Sequence, residues 1–390
     1  MIVCVPLSNG GMERKDRISA LPDEILCHIL SFLSTHDSFA TSFLSKRWQP
    51  LWLFSAILHL DDQTFIRNGR SYSSFFNFAY GTLFKCRMHQ PLTVARFNLT
   101  PRTCGYGSDF PYPLFKIWVS TVVQRGIQQL VIEIPRALEV PHIIWTCKTL
   151  VVLKLYRLSV DVFVKVHLPL LKTLHLDFLF VSKSQYLAEV LHGCPVLEDF
   201  RAYHIFLDNK LDGVEFPTMP KLLRADLKVD YVFEFPLKVV SNVEHFRFFL
   251  KLKKESFPLF KNLVDLELHL GLNIQWHLVI KMLNHCPKLE TIMLHMPVEP
   301  FSSTSWICPQ FVPHCVASQL KRCTIFNYTG RKPELQFTKF ILQNSTALQT
   351  MTIHKIRPSY SSNHHQSKFQ MLQELVMCPK SSAKCKLLFK

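Results

Sequence analysis

The residues able to do covalent or metal chemistry are few and thinly grouped. His192 with Cys194, and His285 with Cys286, stand in two look-alike segments, Leu191-His-Gly-Cys-Pro-Val-Leu-Glu198 and Leu283-Asn-His-Cys-Pro-Lys-Leu-Glu290. Imidazole and thiolate are zinc donors, but a structural zinc site needs four ligands at tetrahedral spacing, and two isolated pairs do not supply it. The reading is two buried structural thiols and no metal site. Asp61-Asp62 sets two carboxylates side by side and reads as a loop. There is no Gly-x-Gly-x-x-Gly, phosphate loop or Gly-x-Ser-x-Gly elbow, and glycine totals only 11. The sequence therefore predicts no catalytic residue and no cofactor. The remaining chemistry is that of recognition.

Recognition groups need a frame, and an internal repeat supplies it. The template Leu-x-x-Leu-x-Leu, with other apolar residues allowed, begins clearly at Leu150, Leu171, Leu263 and Leu289. Weaker copies begin at Leu92, Ile127, Leu197, Leu222, Val243, Leu320 and Leu348. From Ile127 to Leu289 the steps are 23, 21, 26, 25, 21, 20 and 26 residues, the period of leucine-rich repeats. Each unit is then a strand and a return segment that hides its apolar face by stacking on its neighbours. Strand alternation sends the fourth and sixth positions inward and the third, fifth and seventh onto a concave face. The outward set includes Lys154, Tyr156, His175, Arg201, Tyr203, Arg224, Lys228, Arg247, Phe249, His269 and His295, with Asp226 and Glu267 among them. Arginine and aromatic side chains among both signs of charge suit a protein target. A uniform basic stripe, as duplex binding wants, is absent.

A different pattern precedes the repeats. Pro22 suits the first position of a helix, and Asp23 and Glu24 follow where negative charge meets the helix dipole. Ile25, Leu26, Ile29, Leu30 and Leu33 recur at helical spacing. Thr35 or Asp37 is placed to cap a second helix, and a third short helix would present Trp48, Leu51 and Trp52. So short a piece is expected to spend its tryptophans, phenylalanines and leucines covering something else.

Leu21-Pro22, the Ile25 to Leu33 stripe, Leu44-Ser45, Trp48 and Leu51-Trp52 together resemble an F-box, with mild departures at Phe39 and Gln49. The resemblance implies that Leu21, Pro22, Ile25, Leu26, Ile29, Leu30, Leu33, Leu44, Ser45, Trp48, Leu51 and Trp52 contact a Skp-type adaptor, and through it a cullin. Near the other end, Val312-Pro313-His314-Cys315, Leu320-Lys321, Tyr328, Gly330, Glu334-Leu335, Phe340 to Asn344 and Leu348 to Ile353 resemble the FBD domain. Leu372 to Leu375 and Cys378 to Cys385 match that family's usual ending. The expected order there is strand, helix near Leu335 to Asn344, strand and closing helix.

The chain resembles the plant F-box/FBD/LRR-repeat family. The expected fold is α/β: an N-terminal three-helix F-box, then a curved leucine-rich-repeat solenoid capped by an FBD-type α/β unit. The expected boundaries are 1–14 extension, 15–60 F-box, 61–300 repeats and 301–390 cap. Twelve cysteines without a Cys-x-x-Cys pair read as reduced thiols of the nucleus or cytoplasm. The opening MIVCVPLSNGG does not read as a signal peptide, no apolar run reaches membrane-spanning length, and Met12 is an alternative start. Residues 301–390 hold 12 basic and 2 acidic side chains, so this region supplies most of the net charge of +16. Scattered lysines and arginines without a nucleic-acid motif read as a solvated surface. The function implied is a non-catalytic substrate receptor of a Skp–cullin ubiquitin ligase. A scaffold that leaves its F-box unused and a small-molecule-dependent receptor are the alternatives, with a nucleic-acid-associated factor behind them.

Overall fold

A computed structural model describes residues 17–67, 69, 71–86, 92–99, 112–161, 164–207, 213–228, 235–250, 256–297, 302–303, 306–355 and 373–390. The expected extension at 1–14 and the alternative start at Met12 lie outside them, as do residues 356–372 before the expected closing segment. The chain divides into two compact units, Met1–Asn98 and Leu99–Lys390.

The first unit opens with α1 (Asp23–Leu30), and Pro22 stands one residue before the helix as its cap. Ser34 rather than Thr35 or Asp37 caps α2 (Thr35–Ala40). Its hydroxyl oxygen accepts the Asp37 amide at 3.1 Å and donates to the Asp37 carboxylate at 2.8 Å, a reciprocal cap. Thr35 is thereby left for another task, accepting the His59 amide at 2.8 Å from β1 (Ile57–Asp61). The expected third helix is a 3-10 turn, Leu51–Phe54. Pro50 stands immediately before it and brings no amide donor, and the Leu53 amide reaches back only three residues, to the Pro50 carbonyl at 3.0 Å. Asp61 ends β1 instead of lying in a loop, and its carboxylate accepts the Gln63 amide at 2.8 Å where α3 (Gln63–Arg67) begins. Then α4 (Tyr72–Cys86) leads to β2 (Val94–Asn98), which pairs in parallel with β1.

The second unit is a parallel sheet laid down in chain order. After α5 (Tyr112–Gln124) come β3 (Gln129–Glu139), β4 (Val152–Val160), β5 (Thr173–Val181), α6 (Ser184–His192), β6 (Asp199–Leu207), β7 (Arg224–Lys228), β8 (His245–Leu250) and β9 (Asp265–Leu270). There follow β10 (Asn273–Ile274), α7 (Trp276–Asn284), β11 (Thr291–His295), β12 (Ser302–Ser303), α8 (His314–Ser318), β13 (Arg322–Tyr328), α9 (Lys332–Asn344), β14 (Thr350–Lys355) and β15 (Lys386–Phe389). Every pairing from β3 to β9, and on through β11, β13, β14 and β15, is parallel. The short strands β10 and β12 pair with one another. A parallel sheet in chain order fits a solenoid of stacked units.

The eleven repeat starts read from the sequence, Leu92 to Leu348, are all buried, and a strand begins two residues after each. Between the strands runs a backbone ladder. Each repeat's second residue offers one carbonyl to two amides of the next: Val151 to Lys172 and Thr173, Lys172 to Glu198 and Asp199, Glu198 to Leu223 and Arg224. The same pattern continues through Leu223, Glu244, Val264, Glu290 and Lys321.

Four strands carry a left-handed residue that is not glycine: Arg157, Phe178, His204 and Asn327, with φ of 60°, 52°, 47° and 57°. In β4 the burial pattern alternates to Tyr156, places Arg157 outside as well, and resumes with Leu158 and Val160 inside. The left-handed residue resets the phase of the strand, as a bulge does.

Glycine is required at Gly193 for space. A Cβ there would meet Val166 Cγ1 at 2.3 Å and the Val166 carbonyl oxygen at 2.8 Å. The two segments around Cys194 and Cys286 fold as thiol anchors: each donates to the carbonyl four residues back, Val190 and Met282, at 3.1 Å. Burial pushes the Cys194 thiol up to about 12 and the Cys286 thiol up as well. His192 and His285 meet the carbonyls of Ala188 and Lys281, both at 2.8 Å. In the tail, Glu334 is buried and accepts the amides of Thr329 and Gly330, both at 2.9 Å, holding the turn into α9. Residues 373–376 are helical, at the place of the expected closing helix, and strand β15 follows them.

Gly193→Ala is expected to destabilise the second unit by about 1–3 kcal/mol, the usual cost of forcing a methyl into a packed site. Equilibrium urea unfolding reads the loss.

Candidate functional site

Residues 21–54 of the first unit sort their large apolar side chains into two sets. Leu26, Leu30, Trp48, Leu51 and Trp52 are buried together, with Leu21, Cys27, Phe39 and Leu53 packed around them. Both tryptophans therefore hold the fold, which corrects the expectation that they cover something else. Trp52 meets Phe39 edge-on at 5.2 Å, and Phe39 meets Phe78 of α4 at 5.7 Å. Trp48 Nε1 donates to the Ser19 hydroxyl at 3.2 Å. Arg47 ties the segment before α1 to its end: it donates to the Ser19 and Leu21 carbonyls and pairs with Asp23 at 2.7 Å. Ser45 is exposed and Pro22 is exposed.

The second set faces water. Ile25 is 46% exposed, Ile29 39%, Leu33 39% and Leu44 68%. Phe32 at 75% and Phe43 at 78% join them; neither stands among the expected adaptor contacts. Six large apolar side chains open to solvent within residues 25–44 make this segment the candidate docking surface of the unit.

On the sheet, register converts sequence repeats into rows. The fifth positions align as Lys154, His175, Arg201, Asp226, Arg247 and Glu267. His175 departs from the expectation of an open contact residue: it is 7% exposed and faces Asp199 at 3.5 Å. That contact, ahead of the opposing effect of burial, holds the Asp199 carboxyl below its ordinary value. Arg201 lies 3.5 Å from Asp226 and over the Tyr203 ring at 5.3 Å. Tyr203 donates its hydroxyl to Asp226 at 2.5 Å. Burial, then this bond, pushes the Tyr203 phenol up to about 12. Arg247 bridges Asp226 at 3.3 Å and Glu267 at 2.9 Å. Arg224 is exposed in β7, Lys154 is half-buried, and burial raises the half-buried Tyr156 phenol.

The seventh positions carry a stack of rings. Phe249 lies on His269 at 4.2 Å, His269 on His295 at 4.1 Å, His295 on Phe326 at 4.4 Å and Phe326 on His354 at 4.5 Å. The planes stay within 14° of parallel along the whole series. Lys228 sits over the free face of Phe249 at 5.2 Å, a cation–π contact that ends the row. A shorter stack accompanies it on the neighbouring strands, Phe178 on His204 at 4.2 Å and Phe180 on Phe206 at 5.0 Å. The face can therefore bind by charge, by ring surface and by imidazole nitrogen. The sequence reading placed Asp226 and Glu267 on the same outward face as the cations and rings, but not the pairs they make there. Arg247 reaches Asp226 and Glu267 from 21 and 20 residues away, brought alongside by register.

Three family models match this arrangement: the F-box domain over residues 18–57, the LRR repeats of an FBD-associated F-box protein over 115–210, and FBD over 309–353. The fold and these matches define an F-box protein with leucine-rich repeats. Among its relatives, both from Arabidopsis thaliana, the F-box/FBD/LRR-repeat protein At4g26340 is 27% identical over 96% of this chain and 100% of its own length. The FBD-associated F-box protein At4g10400 is 29% identical, with 96% of this chain and 100% of the relative covered. This chain belongs to the plant F-box/FBD/LRR-repeat family.

Phe326→Leu breaks the ring row between His295 and His354. Aromatic pairs are worth about 0.5–1.5 kcal/mol beyond burial, so the variant is expected to lose about 1–2 kcal/mol in urea unfolding.

Proposed function

We propose that this chain is a substrate receptor of a Skp–cullin ubiquitin ligase. The carrying observation is that Ile25, Ile29, Leu33 and Leu44, with Phe32 and Phe43, face solvent while Leu26, Leu30, Trp48, Leu51 and Trp52 of the same segment close a core. An apolar surface presented from a closed core is what an adaptor can cover without unfolding anything. On this reading the exposed members contact the Skp-type adaptor, and the buried members set their spacing. The F-box spans 15–60, the repeats 61–300, and the FBD segment 301–390 closes the end of the sheet.

The outward sheet face takes the protein target. Its arginines are already paired with Asp226 and Glu267, so they are held in place at little further entropic cost when a partner arrives. The chain itself does no chemistry: it holds a target close to the ligase's conjugating enzyme, and the gain is one of effective concentration. It works in the nucleus or cytoplasm.

Co-purification with a Skp-type adaptor and cullin tests the reading. Ile29→Ala with Leu44→Ala alters only exposed side chains, and each is expected to cost about 1–2 kcal/mol at a hot-spot surface. Wild type is expected to bring down both partners and the double variant neither. A correctly folded wild type that captures no adaptor removes the ligase role and leaves a binding scaffold.

A further inference from the structure

One side-chain cluster on the sheet has a chemistry that protein docking does not require. Glu267 and His269 lie on the same side of β9, two residues apart. His295 of β11 stands directly opposite His269 in the register. His269 Nε2 lies 3.1 Å and His295 Nε2 2.9 Å from the same oxygen, Glu267 Oε1. One donor atom from each residue falls within 4.8 Å of the other two. All three side chains are half-buried, at 16%, 25% and 24% exposure.

We propose that Glu267 Oε1, His269 Nε2 and His295 Nε2 form a binding site for a single zinc-class divalent ion. Two imidazoles and a carboxylate are the donor set of many three-ligand zinc sites, which keep a further position open. Imidazole donors select zinc, cobalt, nickel or copper over magnesium and calcium, which want oxygen alone. Each Nε2 stands 2.9–3.1 Å from Glu267 Oε1 and the three ligand atoms lie within 4.8 Å of one another, on strands whose register is fixed. Burial lowers both imidazoles below their ordinary value, against the opposing pull of Glu267. Neutral imidazole is the form that ligates. When the ion enters, each Nε2 gives up its contact with Glu267, and any proton it carries moves to Nδ1 as the other tautomer.

The surroundings are those of a supported site. Arg247 Nε holds the second Glu267 oxygen at 2.9 Å and leaves Oε1 free to turn to the ion. Asp226 holds Arg247 in turn at 3.3 Å. Burial alone would raise the Glu267 carboxyl, but the hydrogen bond and charge of Arg247, followed by the histidines, keep it below its ordinary value and therefore ionised. Phe249 and Phe326 clamp the imidazole pair from both sides. The two imidazole planes lie 6° apart, so both lone pairs reach one ion only if the rings tilt toward each other. That rotation is about a soft sp³–sp² torsion. The open position faces away from the core, toward whatever approaches the sheet. This assignment is independent of adaptor docking.

The test is a titration of the purified full chain, stripped of metal with chelator, first with zinc chloride by calorimetry and then with cobalt chloride by visible absorption. His364 and His365 are changed to alanine throughout, so that this adjacent pair contributes nothing. One equivalent of zinc and a tetrahedral cobalt spectrum are expected. His269→Ala with His295→Ala is expected to abolish the cobalt spectrum and weaken zinc by at least about 100-fold, well beyond the loss typical of a supporting residue. Glu267→Gln keeps the volume of the site and is expected to weaken zinc about tenfold or more, which covers the case of a double variant that does not fold. His245→Ala, on the same face but outside the cluster, is expected to bind like the parent. No zinc binding by the parent chain overturns the proposal, as does equal binding by the parent, the double variant and Glu267→Gln.

Discussion

One shared carbonyl per repeat governs the second unit. Each repeat's second residue accepts two amides from the next, and this fork recurs from Val151 to Lys321 without a change of register. A one-residue slip would send every inward leucine outward, so burial and the fork enforce the same alignment. Return segments can differ in length and content because they carry none of this alignment. Everything on the working face follows: Arg247 reaches two carboxylates, and five rings stack, only because strands far apart in sequence hold the same phase.

The first unit solves a different problem. Its N-terminal segment, residues 21–54, leaves part of its apolar residues outside and divides them. The two tryptophans and Leu26, Leu30 and Leu51 close a small core, and Arg47 ties the entry segment to it through two carbonyls and Asp23. What remains outside is a presented surface with a rigid backing. The stability of the unit and its capacity to dock are therefore carried by different residues of the same helical stripe.

Strand positions were legible in the sequence because an inward leucine, isoleucine or valine marks each one and burial tolerates little else there. The division of the F-box stripe was legible only as a stripe: helical spacing joins Ile25 to Leu26 and Ile29 to Leu30 without saying which faces in. Trp48 and Trp52 were misjudged because composition says that large side chains need cover, and it does not say that Phe39 and Phe78 provide it. Strand β15 escaped because Lys386–Phe389 has no leading apolar spacer. The ring row and the Glu267 cluster were hidden for a deeper reason. Their members are neighbours across strands, and only register makes them so.

The left-handed residues of β4, β5, β6 and β13 have a cost that a comparison of repeats by hydrophobic pattern would miss. A side chain in this conformation gives up about 1–2 kcal/mol that glycine would not. Yet at two of the four positions the side chains are Phe178 and His204, whose rings lie on one another at 4.2 Å. A redesign aimed at thermal robustness would put glycine at both and would be rewarded in backbone energy. It would also erase the aromatic step at that end of the face. These positions are held by what they display, against the preference of the chain that displays it.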